Sequence, residues 1–349
     1  CGEFSAIMDH ALALVHYQEF PKRRAVSEKS GRLRGIGIAS YLEASGGGNA
    51  PKDEVTVRFD TRGHLTLYGT SGASGQGHET SFVHIVATAL GIPASAIEYR
   101  GSDPHTTLVG NGTGGSRTLL GVGSALTELA KQLIESGLPH AARVLEAAET
   151  DVEFAAGGYR VKGTNRAIGF IDLAKRLAGP AKHPLDITAG MTSGVTFPNG
   201  CHIAEVEIDP STGVVQIVAY LACDDFGNVV SRALVDGQVH GGVMQGAGQV
   251  LGEQARYDAN GQLLTGTFMD YAMPRSSWLP PIRTHERPVP TKTNVLGAKG
   301  VGESGCSGGL PAMMNAVMDA LRPLGVPPLN MPVTPDKVWT AIQAARARR

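Results

Sequence analysis

Cysteine is scarce in this sequence, and the few thiols it has stand far apart. The four cysteines are Cys1, Cys201, Cys223 and Cys306. None of them has the C-x-x-C spacing that thiolate metal sites and iron–sulfur clusters use. We therefore expect no cluster on this chain and no metal held by its side chains.

An excess of one charge and a long apolar run are also missing. The chain has 31 Lys and Arg against 32 Asp and Glu, which excludes the basic surface that nucleic acid partners require. No apolar stretch approaches the ~20 residues that span a bilayer, and the N-terminus has no secretion-signal pattern. The expectation is a cytoplasmic protein without a nucleic acid or membrane partner.

Glycine, in contrast, is abundant. It occupies 46 of 349 positions, which is roughly twice its average use. The glycines cluster in short stretches, as expected where backbone must come close to a neighbour or a ligand. The chain also opens at Cys1, without Met, on an apolar helical pattern, which is typical of a piece cut from a longer polypeptide.

The length and the order of elements predict two compact units of the α+β class. A leading helix and a polar, basic linker occupy residues 1–34, a first subdomain residues 35–185, and a second residues 186–349. Each subdomain is predicted to be a β-hairpin followed by a glycine-bearing helix. Duplication is only suggested, because Gln76 precedes its helix whereas Gln245 lies in the middle of one.

Two glycine-rich segments each precede a predicted helix. One is residues 69–78, with Gln76 between two glycines, and the other is residues 110–115, directly before Ser116. The second fits G-x-G-x-x-G, but the following strand with its terminal acid is missing, so we reject a dinucleotide-binding Rossmann domain. Free amides at a helix start still favour an anionic ligand. The alternative is a tight turn that needs glycine only for its backbone angles.

A third segment, residues 297–309, has Glu303 as its only carboxylate and is followed by a helix predicted from Pro311. Small neighbours would let Glu303 reach a reacting centre as a general base, although most isolated loop glutamates are simply solvated. Residues 305–309 also match the G-x-S-x-G elbow of serine hydrolases. That elbow needs a preceding strand and a later Asp and His, and the last histidine is His285, so hydrolysis is the weaker alternative.

These segments resemble, in order and spacing, the molybdenum-binding large subunit of the xanthine dehydrogenase and aldehyde oxidase family, including its carbon monoxide dehydrogenase-type branch. The resemblance runs from about Gly35 to Leu324 and covers the C-terminal one of the family's two large molybdopterin-binding domains. The segments that carry it are Gly75-Gln76-Gly77-His78, Gly112 to Arg117, Asp224-Asp225 to Asn228 with His240 to Gln245, and Gly297 to Gly305.

The resemblance implies a molybdopterin cofactor in its cytosine dinucleotide form, with molybdenum held by the pterin dithiolene and by no protein side chain. Glu303 would be the general base of an oxidative hydroxylation whose oxygen comes from water. Ile38 and Tyr41 would contact the substrate. The residues implied to contact the cofactor are Gly75, Gln76, Gly77, Thr113, Gly114, Gly115, Ser116, Thr118, Gln245 and the backbone of Lys299, Gly300, Val301 and Gly302.

The resemblance also implies partners. Enzymes of this family build the site between two large domains, so an N-terminal molybdopterin-binding domain or subunit is expected beside this chain. The [2Fe-2S] clusters and FAD would reside only on partner subunits. The substrate would be a small molecule, and the resemblance does not specify whether it is an aldehyde, a purine or another N-heterocycle. The alternative from a different functional class is a non-catalytic scaffold or binding module with the same fold.

Overall fold

The structure, a computed structural model, describes residues 1–348 and contains helices and strands in mixed order, which confirms the predicted α+β class. The helices are α1 (Phe4–Leu14), α2 (Phe20–Lys29), α3 (His78–Leu90), α4 (Ser124–Val144), α5 (Phe170–Leu177), α6 (Arg232–Leu251), α7 (Ser304–Leu321) and α8 (Pro335–Arg346). The strands are β1 (Leu33–Leu42), β2 (Asp53–Phe59), β3 (Leu65–Gly69), β4 (Ile97–Gly101), β5 (Val152–Ala155), β6 (Gly158–Val161), β7 (Ala167–Gly169), β8 (Thr188–Met191), β9 (Asn199–Ile208), β10 (Val215–Asp225) and β11 (Ile282–Glu286).

One hydrophobic core lies between the sheet β4-β3-β2-β8 and the helices α3 and α4. The predicted hairpin is β2 paired with β3, and its inward residues, such as Val57 and Leu67, are fully buried. Phe82 from α3 and Leu126 from α4 complete this core. A small sheet, β5-β6-β7, joins the far part of α4, where the Tyr159 hydroxyl donates to a helix carbonyl. This unit supplies the first two glycine-rich segments.

A second core is built on the sheet β1-β9-β10-β11. Both faces are covered, which explains why β9 is buried at almost every position instead of alternating with solvent. Val206 and its neighbours pack under α6, α7 and α8, whereas Ile203 faces Ile7 and Ala11 of α1. This unit supplies the third glycine-rich segment, which runs directly into α7.

Glycines in β1 let α7 lie against the strand with backbone nearly touching backbone. A Cβ atom on Gly37 would overlap the carbonyl oxygen of Ala312, and one on Gly35 would overlap that of Ala316. Protein interiors are close-packed, so neither element can retreat without disturbing its other contacts. The close approach fixes the N-terminal end of α7 relative to the end of β1.

Replacing Gly37 by Ala is therefore expected to lower the free energy of unfolding by about 3 kcal/mol, the cost of overpacking a tight contact. Denaturant unfolding of the purified protein measures the change. Gly179→Ala is the matched control, because a Cβ there would meet no atom within 4 Å. Equal stability of the two variants would contradict the tight packing of β1 on α7.

The predicted linker at residues 22–34 is wrong, since most of it forms α2 and the start of β1. This helix is too polar for apolar packing alone to place it. Ion pairs hold the segment instead: Arg23 and Arg34 contact Glu205 of β9 at 2.5 and 2.6 Å. Because Glu205 is distant in sequence, no local pattern shows that these charges are partnered.

The boundary predicted at residue 185 does not separate the two sheets. β1, which precedes it, pairs with β9 over its whole length, from Leu33 opposite Ile208 to Leu42 opposite Asn199. β8, which follows it, pairs with β2. The sheet of the second unit therefore contains β1 from before the boundary, and the sheet of the first unit contains β8 from after it. The segments that follow β1 and β8 run side by side, with a bridge between Ser45 and Thr196.

The described residues 1–348 hold no helix that is long and apolar enough to cross a membrane. Within the same range, no group of three or more His, Cys, Asp or Glu side chains could hold a metal ion. All four cysteines are free thiols, of which Cys201 and Cys223 are buried.

Candidate functional site

Three glycine-rich segments that are distant in sequence meet around one cleft. It has a volume of about 150 Å³ and lies at the N-terminal ends of α3 and α7, beside α6. Much of its remaining lining is apolar, including Phe82, Val229 and Leu234. Of the predicted cofactor contacts, the cleft is lined by Gln76, Thr113, Ser116, Thr118, Lys299, Gly300, Val301 and Gly302.

The loop before α7 leaves two backbone amides open at this cleft. The amide of Lys299 donates to the carbonyl of Phe226 at 2.8 Å, and that of Gly300 donates to a serine hydroxyl at 3.2 Å. Both amides therefore anchor the loop. Those of Val301 and Gly302 make no hydrogen bond within the described residues. Open amides at a cavity can bind a polar or anionic ligand.

The side chain of Lys299 has a different role from its backbone. Its ammonium group lies 2.5 Å from Oδ2 of Asp225 and 2.6 Å from the carbonyl oxygen of Cys1. The two charged side chains are only 1% and 0% exposed. Asp225 also accepts the amides of Gly227 and Val289, each at 2.9 Å. Lys299 thus ties the loop to the end of β10 through a fully buried ion pair.

Glu303 is exposed immediately before α7, and Ser116 holds it there. Oγ of Ser116 donates to Oε2 of Glu303 at 2.8 Å and accepts the amide N–H of Glu303 at 3.0 Å. Ser116 adopts the left-handed region with φ of 53°, a conformation that turns its hydroxyl toward α7. This reciprocal pair of bonds fixes an accessible carboxylate beside the cleft.

A second carboxylate, which the sequence patterns do not reveal, lies next to Glu303. Glu43 directly follows β1, and its Oε2 accepts a hydrogen bond from Oγ of Ser304 at 3.1 Å. Burial raises the pKa of Glu43, the hydroxyl groups of Ser116 and Ser304 oppose that shift in part, and the negative charge of Glu303 adds to it. The only sequence signal for Glu43 is an acid at the end of a buried strand.

The segment before α3 also presents polar groups to the cleft. Oε1 of Gln76 accepts the amide of Ser74, which holds this side chain close to its own loop. Gly75 and Gly77 have φ of 104° and 70°, angles that other residues rarely adopt. Burial lowers the pKa of His78, and its Nδ1 has no hydrogen-bond partner among the described residues. His78 lines the cleft, so this nitrogen is a buried polar atom without a partner at the cleft wall.

Some predicted contacts lie elsewhere. Gly114 and Gly115 line a separate, open depression next to Arg117 instead of the cleft. Gln245 is exposed on α6, and the cleft-lining amide of that helix is Gln238, two turns earlier. Seven residues return a helix to nearly the same face, so Gln245 lies on the same side of α6 as Gln238, two turns further from the start of the helix.

The two predicted substrate contacts are on opposite faces of β1, as alternation along a strand requires. Ile38 packs with the cluster under α1 and does not reach the cleft. Tyr41 faces α7, and its hydroxyl donates to Oδ1 of Asp224 at 2.7 Å. Nε2 of His202 lies 3.1 Å from the same oxygen, so Tyr41 belongs to a polar network under α7.

The hydrolase elbow is absent. Residues 305–309 lie inside α7, which begins at Ser304 and not at Pro311, and no strand precedes them. Oγ of Ser307 donates to the backbone carbonyl of Glu303 at 3.1 Å, an ordinary bond within a helix. A Cβ atom on Gly305 would overlap the backbone of α6, so the small residues here serve helix packing.

Comparison with known proteins identifies the family. Residues 10–280 match the family model described as the molybdopterin cofactor-binding domain. The chain belongs to this family. The resemblance to the molybdenum-binding large subunit is thereby confirmed, while the Glu303 loop lies beyond the matched range and depends on the structure for its placement.

Relatives of this molybdopterin cofactor-binding chain are large subunits of redox enzymes. The large subunit of nicotine 6-hydroxylase from Paenarthrobacter nicotinovorans is 32% identical over 97% of this chain and 44% of its own length. The large chain of carbon monoxide dehydrogenase from Hydrogenophaga pseudoflava is 30% identical over 98% of this chain and 45% of its own length. This chain therefore spans less than half the length of these relatives.

Solved structures agree with the family assignment. Quinoline 2-oxidoreductase from Pseudomonas putida 86 superimposes with a TM-score of 0.87 at 30% identity, covering 98% of this chain and 46% of that one. Reconstituted CO dehydrogenase from Oligotropha carboxidovorans superimposes with a TM-score of 0.88 at 29% identity, covering 100% of this chain and 46% of that one. The molybdopterin cofactor-binding fold thus extends over the whole chain.

The cleft has the chemistry that a molybdopterin cofactor needs. A pterin presents polar ring edges and an anionic phosphate, which bind to amide donors and to side chains that can both donate and accept. The open amides of Val301 and Gly302, the Gln76 amide and the unpartnered Nδ1 of His78 supply such groups. The residues present therefore fit the cofactor.

Proposed function

We propose that this chain forms one wall of the active site of a molybdenum hydroxylase, in which the cleft binds molybdopterin and Glu303 is the general base. The observation that carries the proposal is the reciprocal bonding of Ser116 with Glu303, which holds an accessible carboxylate beside the cofactor cleft. The nicotine 6-hydroxylase and quinoline 2-oxidoreductase relatives support the reaction class.

When bound, the cofactor would supply the redox centre that takes two electrons from the substrate carbon. The amides of Val301 and Gly302, with Gln76 and His78, would bind and orient it at the cleft wall. The hydrogen bond from Ser116 uses only one lone pair of the Glu303 carboxylate, so the other lone pairs can still accept a proton. Glu303 would accept that proton from the water whose oxygen enters the product.

Several finer features belong to the same proposal. The cofactor is proposed to be the cytosine dinucleotide form, in agreement with the family resemblance. Because this chain spans less than half of its relatives, a first molybdopterin-binding domain or subunit would provide the opposite wall. Partner subunits with [2Fe-2S] and FAD would remove the electrons, the substrate would be a small molecule, and the complex would work in the cytoplasm.

The decisive experiment is to purify the protein with its native partners and measure molybdenum by mass spectrometry and the nucleotide released by acid. We expect molybdenum and a cytosine nucleotide in equal amounts. An active complex that lacks both would refute the proposal. Failure of both the chain and its assembly to bind the pterin would instead favour a scaffold with the same fold.

Ser116→Ala is expected to lower kcat of the assembled enzyme about tenfold while leaving the molybdenum content unchanged. The variant removes both bonds of the reciprocal pair, of which the one to the charged carboxylate is worth about 1.5 kcal/mol. Ser211→Ala, in an exposed turn distant from the cleft in sequence, is the matched control. Unchanged kcat in Ser116→Ala would mean that Glu303 needs no help from Ser116 in its orientation.

A further inference from the structure

The neighbourhood of Glu43 contains one unexplained feature, a buried carboxyl oxygen without a donor. The amide of Glu43 donates to the Pro198 carbonyl at 3.0 Å, and Oε2 accepts from Ser304, but Oε1 has no hydrogen-bond partner within residues 1–348. Burying an ionised oxygen in this state is costly. A proton on Glu43 removes the cost, because a neutral carboxyl group can donate to a neighbouring acceptor.

The neighbouring acceptor is Glu303, and no cation compensates the two groups. Within the described residues, neither Glu43 nor Glu303 is among the carboxylates that pair with Lys or Arg, and the charge that acts on Glu43 is that of Glu303. Two carboxylates that share a site without a counter-charge do not both ionise readily. The start of α7 favours one negative charge there through its helix dipole. The surroundings therefore suit a pair that carries one negative charge and one proton.

The other titratable groups around the pair do not provide that charge balance. Tyr41, on β1, faces Asp224, and burial raises its pKa, so its hydroxyl stays neutral. Cys306, on α7, is also neutral, since burial and then the charge of Glu303 raise its pKa. The remaining neighbours, Ser116 and Ser304, are hydroxyls.

We propose that Glu43 and Glu303 form a carboxyl pair with one shared proton, in which Glu43 is the positioning residue that holds the proton and leaves Glu303 ionised. The role of Glu43 in catalysis rests on the proposed function of Glu303 as base. The shared proton does not rest on that proposed function, because it depends only on groups within this chain. The proton can be measured without cofactor or substrate, so a negative result for the carboxyl pair can be distinguished from a failure of the proposed function.

Infrared spectroscopy of the full-length protein during a pH titration tests the pair directly. The wild type is expected to show a carboxylic acid C=O band that persists to pH values above the ordinary pKa of glutamate, that is absent from Glu43→Gln, and that is present in the exposed control Glu149→Gln. In Glu303→Gln the band should titrate at lower pH, because a charge that raises the pKa of Glu43 is gone. In Ser304→Ala it should titrate at higher pH, since a bond that lowers this pKa is lost.

Three outcomes would overturn the proposal: no carboxylic acid band in the wild type above the ordinary pKa of glutamate, a band that persists in Glu43→Gln, or an unchanged titration in Glu303→Gln. Because the last two variants keep the size of the side chain, they are expected to fold. Ser304→Ala provides a further check that leaves both carboxyl groups in place.

Thermal unfolding gives an independent test with a defined sign. The pKa of folded Glu43 lies above its ordinary value of 4.5, so its favourable contribution is complete below that value and is lost as pH rises through the folded pKa. A glutamine at this position does not titrate, so its contribution to stability does not change with pH. The Tm of Glu43→Gln relative to wild type should therefore rise with pH, by on the order of 2 °C. A difference that is constant with pH, or one that Glu149→Gln reproduces, would contradict the raised pKa.

Discussion

Glu303→Gln is expected to reduce kcat of the assembled enzyme by about 10³-fold, within the range for loss of a general base. Glutamine has the same shape, and its amide oxygen can still accept the hydrogen bond from Ser116, so the start of α7 should not move. What it cannot do is take up a proton. Steady-state kinetics, normalised to the molybdenum content of each preparation, measure the effect.

Two comparisons make this result interpretable. Glu149→Gln makes the same chemical change at an exposed position and should have wild-type kcat. Glu43→Gln distinguishes the two neighbouring carboxyl groups, because only loss of the base should remove nearly all turnover. Full turnover in Glu303→Gln would place the base elsewhere. Loss of molybdenum together with turnover would show that Glu303 is needed for cofactor binding and not for proton transfer.

Lys299→Met is expected to lower the free energy of unfolding by about 3–5 kcal/mol, the usual cost of leaving a buried charge without its partner. Asp225 is 0% exposed, so water cannot replace the ammonium group. The loop that presents Val301 and Gly302 would lose its attachment to the end of β10. Denaturant unfolding measures the stability, and molybdenum content should fall in the same variant.

Removing the partner charge separates this explanation from a simple loss of packing. The double variant Lys299→Met with Asp225→Asn has no uncompensated charge and should recover part of the lost stability. Lys131→Met, on the exposed face of α4, is the control, because the side chains of Lys131 and its ion-pair partner Glu135 are 66% and 64% exposed. If Lys299→Met stayed within about 0.5 kcal/mol of wild type, as surface changes do, the ion pair would not hold the loop.

The candidate site was partly predictable because several of its residues lie in short glycine-rich segments. Gln76, Ser116 and Glu303 follow glycines that leave the backbone open, and this local signal points to a ligand without any knowledge of the fold. Glu43 has no such signal. It becomes a neighbour of Glu303 only because β1 packs directly against α7.

The choice between Gln238 and Gln245 shows the same limit within one helix. Both amides lie on nearly the same side of α6, and periodicity cannot say which turn faces a cavity. Contact with α7 near Gly305 decides it, since this crossing places Gln238 beside Gly302 and leaves Gln245 exposed. The pattern therefore predicts the face, and packing decides which residue of that face lines the cleft.

From sequence alone, the α+β class, the two hairpins and the family could be determined, and Glu303 could be proposed as the base, because each depends on periodicity or on residues close together in the chain. The pairing of β1 with β9, the ion pairs that hold α2 and the approach of Glu43 to Glu303 were decided only by tertiary structure. These contacts join residues far apart in sequence, and their energies depend on burial and on charges that meet only after folding.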